Sequence, residues 1–174
     1  IFLDIDGVLN HDTWFNSIAY KSHEQSWKVS MFDPECVKRV NTILEKTGAK
    51  LVISSSWRGM EDLKDIFAGV GLPTEFDKTP YASIVYNLDP FDRDNDSPLW
   101  WRGSEIKWYL EHNYPNAKYC ILDDDVDMLD EQLPYFVNTV GDSIYQAALY
   151  KENEGSGLTE KCMNKVIKIL NDEL

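Results

Sequence analysis

The chain opens on a short apolar run that ends in two aspartates and a glycine. Residues 1–3 predict a buried strand, and Asp4 and Asp6 follow at its end. Residues i and i+2 of an extended segment point to the same side, and Gly7 permits a sharp turn directly afterwards. Two carboxylates held this close repel each other unless a cation lies between them, and Mg²⁺ is commonly bound by one or two carboxylates with a substrate phosphate. The segment therefore predicts a divalent-cation site at a strand end; the alternative is an acidic turn after a core strand.

A second apolar run ends in carboxylates in the same way. Residues 119–122 predict a strand, and Asp123 and Asp124 follow it, with Asp127 a little further on. In open α/β sheets, ligands bind beyond the carboxyl ends of the parallel strands. We therefore expect these acids to lie beside Asp4, and the sequence leaves open which of the three later aspartates completes the cation site.

A third apolar run, residues 50–53, ends in hydroxyl side chains followed by a cation. Ser54 and Ser55 come directly after the predicted strand, and Trp57 and Arg58 follow them. Hydroxyl donors and a guanidinium can bind a phosphate at a strand end. The alternative is a serine-rich turn with a capping role.

Two basic residues lie at the start of a later predicted helix. Arg102 comes just before it, and Lys107 lies about a turn and a half into it. Either side chain could reach the edge of the sheet as a fixed positive charge. The alternative, a solvated cation on an exposed helix face, is favoured for Lys107 and is evenly balanced for Arg102.

Amphipathic helices alternate with these strands. The first is predicted to begin after the N-cap Asp33 and to stop at Gly48, because Pro34 suits the first helical position and glycine ends helices. Other helices are predicted over residues 60–70 and 127–133, within residues 100–110 and after Thr159, and a fourth strand over residues 135–137. The alternation predicts an α/β fold with a central parallel sheet and helices on both of its faces.

Two long segments show no regular period. Residues 11–32 scatter aromatic side chains among polar ones, which predicts a surface loop or short hairpin, with a flap over the Asp4 site as the functional alternative. His11 and His23 have no metal-ligand spacing, so we interpret both as ordinary polar loop residues. Residues 72–101 predict a loop-rich insertion, in which the run 89–96 lacks the glycine and the glutamate that a calcium loop needs.

Composition limits the class of protein. A chain of 174 residues with 43% hydrophobic content suits a single domain over residues 1–174 with a sizeable core. The net charge of −13 argues against an extensive surface for duplex nucleic acid. Three widely spaced cysteines without a CxxC pair predict reduced thiols in a cytoplasmic protein.

The chain also limits the expected partners. It has no apolar run of transmembrane length, so we expect no membrane partner. Because the chain begins inside a predicted strand, we expect its natural start to lie earlier, and a targeting segment there stays open.

The strand-end residues, taken in order, resemble a known family. Motifs one to four of the haloacid dehalogenase (HAD) superfamily are similar to Asp4-Ile5-Asp6-Gly7-Val8-Leu9-Asn10, Ser54-Ser55, the basic residue Arg102 or Lys107, and Asp123-Asp124. More narrowly, the HAD domain of "Swiss army knife" RNA-repair proteins resembles Ile53-Ser54-Ser55-Ser56-Trp57-Arg58, Arg102-Gly103-Ser104-Glu105-Ile106, Ile121-Leu122-Asp123-Asp124-Asp125 and Gly157-Leu158-Thr159.

The resemblance implies a three-layer, Rossmann-like HAD fold without a large cap domain, and a phosphatase mechanism. It implies that Asp4 is the nucleophile that forms an aspartyl-phosphate, and that Asp6 is first the general acid and then the general base. It further implies a Mg²⁺ ion held by Asp4, by the main-chain carbonyl of Asp6, and by Asp123 or Asp124.

The resemblance also implies how the phosphate is bound. Ser54, or less favourably Ser55, would donate a hydrogen bond to it, and Arg102 or Lys107 would pair with Asp4 and the phosphate. The second of these assignments is open because the family's usual basic residue is a lysine, which is here an arginine or a lysine out of position.

The expected site is nearly open, which suits a phosphate at the end of a large substrate. Asn10, Trp57 and Arg58 are candidate substrate contacts, since aromatic side chains stack on bases; core packing is the alternative for the aromatics. We expect a Mg²⁺-dependent phosphomonoesterase acting on a nucleotide or a nucleic-acid end, as a nucleotidase or a 3′-phosphatase. The alternatives are a phosphoprotein phosphatase and a catalytically idle binding module, which would have no need of Asp6.

Overall fold

A five-stranded parallel sheet forms the centre of the molecule, in the order β3-β2-β1-β4-β5. The computed structural model describes residues 1–21, 27–89, 91, 97–140 and 157–173. Its strands are β1 (Phe2–Leu3), β2 (Val52–Ile53), β3 (Asp77–Lys78), β4 (Ile121–Asp123) and β5 (Phe136–Asn138). The sheet confirms the predicted α/β class and agrees with the Rossmann-like HAD fold that the resemblance implies.

Helices connect these strands. They are α1 (Asp12–Phe15), α2 (Ile18–Lys21), α3 (Trp27–Ser30), α4 (Pro34–Thr47), α5 (Leu63–Val70), α6 (Ala82–Val85), α7 (Arg102–Asn113) and α8 (Glu160–Leu170). Short 3₁₀ turns cover Ser56–Gly59, Pro98–Trp100 and Asp130–Tyr135. In the part of the chain that the structure describes, no helix has the length and apolar character needed to cross a membrane.

The two faces of the sheet are covered by different helices. Alternate residues of a strand point to opposite faces, so Leu3 and Phe2 belong to different clusters of buried side chains. The cluster around Leu3 includes inward-facing residues of α4, α5 and α8, whereas the cluster around Phe2 includes Ile106 and Tyr109 of α7. The predicted placement of helices on both faces is therefore confirmed.

The capping signals predicted two helices well. Helix α4 begins after Asp33, whose carboxylate accepts a hydrogen bond from the Glu35 N–H (2.9 Å), and ends at Gly48, which is left-handed with φ 66°. Helix α8 begins after Thr159, whose hydroxyl accepts from the Cys162 N–H (3.2 Å). Both helices therefore begin directly after the predicted N-cap residues, whose side chains accept hydrogen bonds from backbone N–H groups of the first turn.

Elsewhere the structure differs from the predicted elements. Strand β3 lies inside the segment 72–101 that was predicted as loop, because its two residues are exposed and polar and give no apolar signal. Helix α5 begins at Leu63, after the 3₁₀ turn that follows β2, and the helix predicted over 127–133 is the 3₁₀ turn Asp130–Tyr135, with Pro134 inside it. Within the segment 72–101, residues 90 and 92–96 lie outside the described residues.

The segment 11–32 is helical where the structure describes it, instead of the predicted loop or hairpin. It contains α1, α2 and α3, each four residues long, and His23 lies outside the described residues. The indole of Trp14 donates a hydrogen bond to the Ser30 carbonyl (3.0 Å) and thereby joins the two ends of the segment. Helices this short are not stable alone, so tertiary contacts of this kind hold them.

His11 is buried, which corrects its interpretation as an ordinary polar loop residue. Its Nδ1 accepts from the Trp14 N–H (3.2 Å), and its Nε2 lies 2.8 Å from Asp33. His11, Asp33 and Cys36 offer ligand atoms within 4.8 Å of one another. However, His11 and Asp33 already bond each other, and burial raises the pKa of the Cys36 thiol to about 12. We therefore interpret this cluster as a structural link between the segment and α4.

Candidate active site

The two strands that end in carboxylates are neighbours in the sheet. Leu3 of β1 pairs with Leu122 of β4, and the Asp4 N–H donates to the Leu122 carbonyl (2.9 Å). Asp4 and Asp123 therefore lie side by side, and their exposed fractions are only 4% and 0%. Asp4, Asp123 and Asp124 each offer an oxygen within 4.8 Å of the others.

These three carboxylates lie in an environment that disfavours their charge. Burial raises the pKa of Asp4, as does the neighbouring charge of Asp6, while Arg102 and a hydrogen bond with the Ser55 hydroxyl oppose the increase. Burial also raises the pKa of Asp123 well above its usual range, and burial together with the charge of Asp4 raises that of Asp124 to about 6. A cation bound among them would offset both burial and mutual repulsion.

Arg102 supplies positive charge to this cluster from the first turn of α7. Its Nη1 donates to Asp4 Oδ1 (2.5 Å) and to the Ser54 carbonyl (2.7 Å), and its Nε lies 3.1 Å from Asp123 Oδ2. Its backbone N–H donates to the Asp127 carboxylate (3.0 Å), which fixes the start of the helix. Burial lowers the pKa of Arg102, but the adjacent carboxylates raise it by more, so the guanidinium stays charged.

Lys107, the other basic candidate, is not brought to this cluster. Its ammonium lies 2.6 Å from Glu131 and 3.9 Å from Glu111, and its side chain is 41% exposed. One and a half turns of helix separate it from Arg102, which places it on a different side of α7. Of the two basic residues, only Arg102 contacts Asp4 among the described residues.

Asp6 lies beside the buried cluster but is itself exposed. Its Oδ1 accepts a hydrogen bond from Asn10 Nδ2 (2.7 Å), and its Oδ2 accepts from the Trp57 indole N–H (2.9 Å). Asn10 also accepts from the Gly7 N–H (3.1 Å), which closes the turn after β1. Asp4 and Asp6 thus occupy different environments, one buried among charges and one at the surface with two neutral donors.

The two serines after β2 have separate contacts. The Ser55 hydroxyl accepts from the Trp57 N–H (3.3 Å) and hydrogen bonds with Asp4. The Ser54 hydroxyl is fully buried and has no hydrogen-bond partner among the described residues, whereas its carbonyl accepts from both Arg58 and Arg102. Ser55 is therefore the serine in contact with Asp4, whereas the sequence favoured Ser54 for the phosphate contact.

The three candidate substrate contacts are buried in this structure, and a contact of any of them with substrate stays a prediction. Asn10 is 3% exposed and bonded to Asp6, and Trp57 packs edge-on against Phe32. Arg58 forms a buried ion pair with Glu105 (2.6 Å) and lies 4.0 Å from the centre of the Tyr81 ring. All three form contacts within the site in this structure, and the ring of Trp57 belongs to the cluster of buried side chains around Leu3.

Three residues at the end of β5 and in α7, to which the sequence analysis gave no role, support the site. The Thr139 hydroxyl donates to the Gly7 carbonyl (2.9 Å), and Asn138 donates to the Asp124 carbonyl (2.9 Å). Glu105 accepts from the Ala82 N–H (2.9 Å) as well as from Arg58. The polar pair at the end of β5 could have been found by its position, since it ends a strand as the acids do.

The carboxylate cluster fits a hard divalent cation. Its donors are all oxygens, as Mg²⁺ prefers, and they come from two adjacent strand ends. Among the described residues, the buried Asp123 Oδ2 has no hydrogen bond of regular geometry, so it has capacity for a ligand. Asp127 is engaged by the Arg102 backbone and is not part of the cluster.

A comparison with known families agrees with this arrangement. The family model described as the HAD domain in Swiss Army Knife RNA repair proteins matches residues 1–143, a range that includes every residue of the site described above. No curated protein sequence and no solved structure matches the chain significantly. Since the family match covers most of the chain, the chain belongs to the family of HAD domains found in Swiss Army Knife RNA repair proteins.

Proposed function

We propose that this chain is a Mg²⁺-dependent phosphomonoesterase that removes phosphate from a nucleotide or a nucleic-acid end. The observation that carries the proposal is the pairing of a buried carboxylate cluster around Asp4 with an exposed second carboxylate, Asp6, two residues away. Pairs of acids with contrasting environments are suited to different roles in one reaction.

In the first half-reaction, an oxygen of Asp4 attacks the substrate phosphorus. The bond between phosphorus and the leaving oxygen breaks, and its electron pair stays on that oxygen, which takes a proton from Asp6. The product is an aspartyl-phosphate on Asp4 and a free hydroxyl on the leaving group. Burial of Asp4 supports this role because a poorly hydrated carboxylate needs little reorganisation to react.

In the second half-reaction, water attacks the phosphorus of the aspartyl-phosphate. Asp6, now ionised, takes the proton of that water, and the bond between phosphorus and the Asp4 oxygen breaks. Inorganic phosphate leaves and both carboxyl groups return to their starting state. The exposure of Asp6 supports this step because the water and the leaving group reach it from the same side.

The remaining polar groups of the site serve the phosphoryl oxygens. Asp4, Asp123 and Asp124, with the main-chain carbonyl of Asp6, would hold Mg²⁺, which neutralises charge on those oxygens. Arg102 pairs with Asp4 and donates to the phosphate. The Ser54 hydroxyl, which has no hydrogen-bond partner among the described residues, is the available donor for it at the end of β2, whereas the Ser55 hydroxyl is already bonded with Asp4.

The substrate class follows from the family description and the charge of the chain. A domain of RNA repair proteins is suited to a phosphate at the end of a polynucleotide. The net charge of −13 disfavours extensive contact with a duplex, so recognition would be confined to the terminal nucleotide.

The test is phosphate release by the purified chain, with Mg²⁺ or with EDTA. The substrates are RNA and DNA oligonucleotides with a 3′-phosphate, 3′- and 5′-mononucleotides, and a phosphopeptide. We expect Mg²⁺-dependent release from the nucleotide or oligonucleotide substrates. Release from the phosphopeptide alone, or from none of them, would contradict the proposal.

Two variants separate this chemistry from contamination. Asp4→Asn removes the nucleophile, and we expect a loss of at least about a thousandfold in the rate. Asp65→Asn removes an equal charge from an exposed position on α5, and we expect the rate to stay within about twofold of wild type. Equal activity of the two variants would contradict the assignment of Asp4.

A further inference from the structure

The carboxylate of Asp6 is held from both sides although it lies at the surface. Asn10 donates to one oxygen and the indole of Trp57 to the other, at 2.7 and 2.9 Å. Both groups are uncharged donors. The indole N–H cannot accept a hydrogen bond, so Asp6 is always the acceptor in this contact. The contacts therefore fix the rotation of the carboxyl group about its side chain without adding a charge.

Trp57 is well placed to keep this contact rigid. Its side chain is 6% exposed, and its ring meets Phe32 edge-on, with the centres 5.6 Å apart and the planes at 89°. Phe32 in turn packs against Phe67 of α5. The indole is thus anchored in the core, and only its N–H edge reaches the surface carboxylate.

The same turn also orders the buried side of the site. The backbone N–H of Trp57 donates to the Ser55 hydroxyl (3.3 Å), and that hydroxyl bonds with Asp4. One residue therefore contacts Asp6 directly and Asp4 through a single intermediate. A shift of the Trp57 turn would move both carboxylates relative to each other.

We propose that Trp57 is a positioning residue that aims the Asp6 carboxyl group at the leaving oxygen of the substrate. This inference rests on the proposed function, because it assigns the indole a task in the step in which Asp6 gives up its proton. Proton transfer requires hydrogen-bond reach and alignment, so a carboxyl group free to rotate would lose part of its effect. The sequence allowed Trp57 to stack on a base of the substrate. Because its ring is buried, we assign it the contact with Asp6 instead.

A comparison of leaving groups tests this role. An alkoxide leaves a phosphoryl group only with a proton, whereas p-nitrophenolate leaves without one. In Trp57→Phe, we expect kcat/KM for a nucleoside 3′-phosphate to fall by about tenfold more than kcat/KM for p-nitrophenyl phosphate. We use kcat/KM because it reports the steps up to departure of the leaving group and excludes hydrolysis of the aspartyl-phosphate.

Three further proteins make the result decisive. Asp6→Asn removes the proton donor and should change the same ratio in the same direction, by more. Trp14→Phe removes another buried indole whose N–H bonds a backbone carbonyl, and should leave the ratio unchanged. If Trp57→Phe does not fold, replacement of Trp57 by β-(3-benzothienyl)alanine removes the N–H while keeping the ring shape.

The outcomes distinguish the two levels of the proposal. Equal losses on both substrates for the Trp57 variants, with a changed ratio for Asp6→Asn, would overturn the positioning role and leave the proposed function standing. A wild-type protein that releases phosphate from neither substrate would overturn the proposed function and this inference with it. A selective loss on the nucleoside phosphate supports both.

Discussion

Gly7 lies where the turn after β1 passes directly beneath Asp124. A Cβ atom at this position would lie 2.3 Å from the Asp124 carboxyl carbon, and its φ of 70° is one that side chains rarely adopt. We expect Gly7→Ala to lower the free energy of unfolding by about 1–3 kcal/mol. Because the added methyl group would displace Asp124, a predicted metal ligand, we also expect the Mg²⁺ concentration for half-maximal activity to rise about tenfold or more.

Gly48 provides the matched control for backbone strain. It has a similar φ of 66°, but a Cβ there would meet no heavy atom of the described residues within 4 Å. Gly48→Ala should cost about 1 kcal/mol of stability and leave the Mg²⁺ dependence unchanged. Urea denaturation and Mg²⁺ titration of phosphate release measure both effects. A normal Mg²⁺ dependence in Gly7→Ala would contradict the placement of Asp124 in the metal site.

For single residues, the positions of the acids at strand ends predicted which carboxylates meet, whereas the positions of the two basic residues near the start of α7 did not predict which of them reaches Asp4. The meeting of Asp4 with Asp123 and Asp124 follows from two apolar strands that end in acids, a pattern visible in the sequence. The choice between Arg102 and Lys107 depended on the direction of α7, which the sequence does not give. The burial of Trp57 likewise depended on Phe32, a residue from another segment.

Helix α4 is tied at its start to the loop after β1 through Asp33. The carboxylate caps the helix and accepts from His11. Burial raises the pKa of Asp33, but the hydrogen bonds from His11 and from the Glu35 N–H outweigh it, so the pKa is lowered from 3.8. A carboxylate with a lowered pKa stabilises the fold above its unfolded pKa, and this contribution is lost as the pH falls through the folded pKa.

Asp33→Asn isolates that contribution, because asparagine also caps helices but carries no charge. At pH 7 we expect the variant to be less stable than wild type by about 1 kcal/mol, and the difference to shrink toward zero as the pH falls below 3.8. Urea denaturation between pH 7 and pH 3 measures it. Glu45→Gln, exposed on the same helix, should stay within about 0.5 kcal/mol of wild type at pH 7. A pH-independent difference for Asp33→Asn would contradict a stabilising role for the Asp33 charge.

Elements with caps and an apolar stripe were predictable, and those held by distant contacts were not. Helices α4 and α8 carry their own start signals, Asp33 and Thr159. Helices α1, α2 and α3 are too short to be specified locally, and Trp14 is held by a carbonyl sixteen residues away. Strand β3 pairs with β2, but its two residues are polar and exposed, so it leaves no apolar signal in the sequence.

For the whole molecule, the carboxylate cluster predicts that metal binding and stability are coupled. Burial and the charge of Asp4 raise the pKa of Asp124 to about 6, so at neutral pH its charge destabilises the metal-free fold. A ligand that binds only the folded state adds about 2.7 kcal/mol at a hundred times its Kd. We therefore expect Mg²⁺ to raise the Tm of the wild-type chain by several degrees.

We expect Asp124→Asn to have a higher Tm than wild type without metal and a lower Tm than wild type with Mg²⁺. Without metal, the variant loses a repelled charge, and we expect it to melt about 2–4 °C above wild type. With Mg²⁺, it lacks a ligand, so wild type should melt above it. Thermal denaturation at pH 7.5 with EDTA and with Mg²⁺ tests the crossing. Equal Mg²⁺-induced shifts in the two proteins would show that Asp124 is not a ligand.

The overall architecture was the most predictable level, because alternating strands and helices leave few arrangements of a parallel sheet. What the pattern could not supply was the cross-linking of the site by β5. The contact of Thr139 with Gly7 joins the end of β5 to the turn after β1, with β4 between the two strands, and the contact of Asn138 with Asp124 joins the ends of the neighbouring strands β5 and β4.

The contact between Thr139 and Gly7 joins residues 132 positions apart, and Arg102 and Asp4 lie 98 positions apart. A ribosome adds about 5–20 residues each second, so the two ends of the site are synthesised roughly ten seconds apart. During that interval the growing chain carries Asp4 without Arg102, and the Gly7 turn without Thr139. The site is therefore expected to gain its activity only after β5 has emerged from the ribosome and joined the sheet.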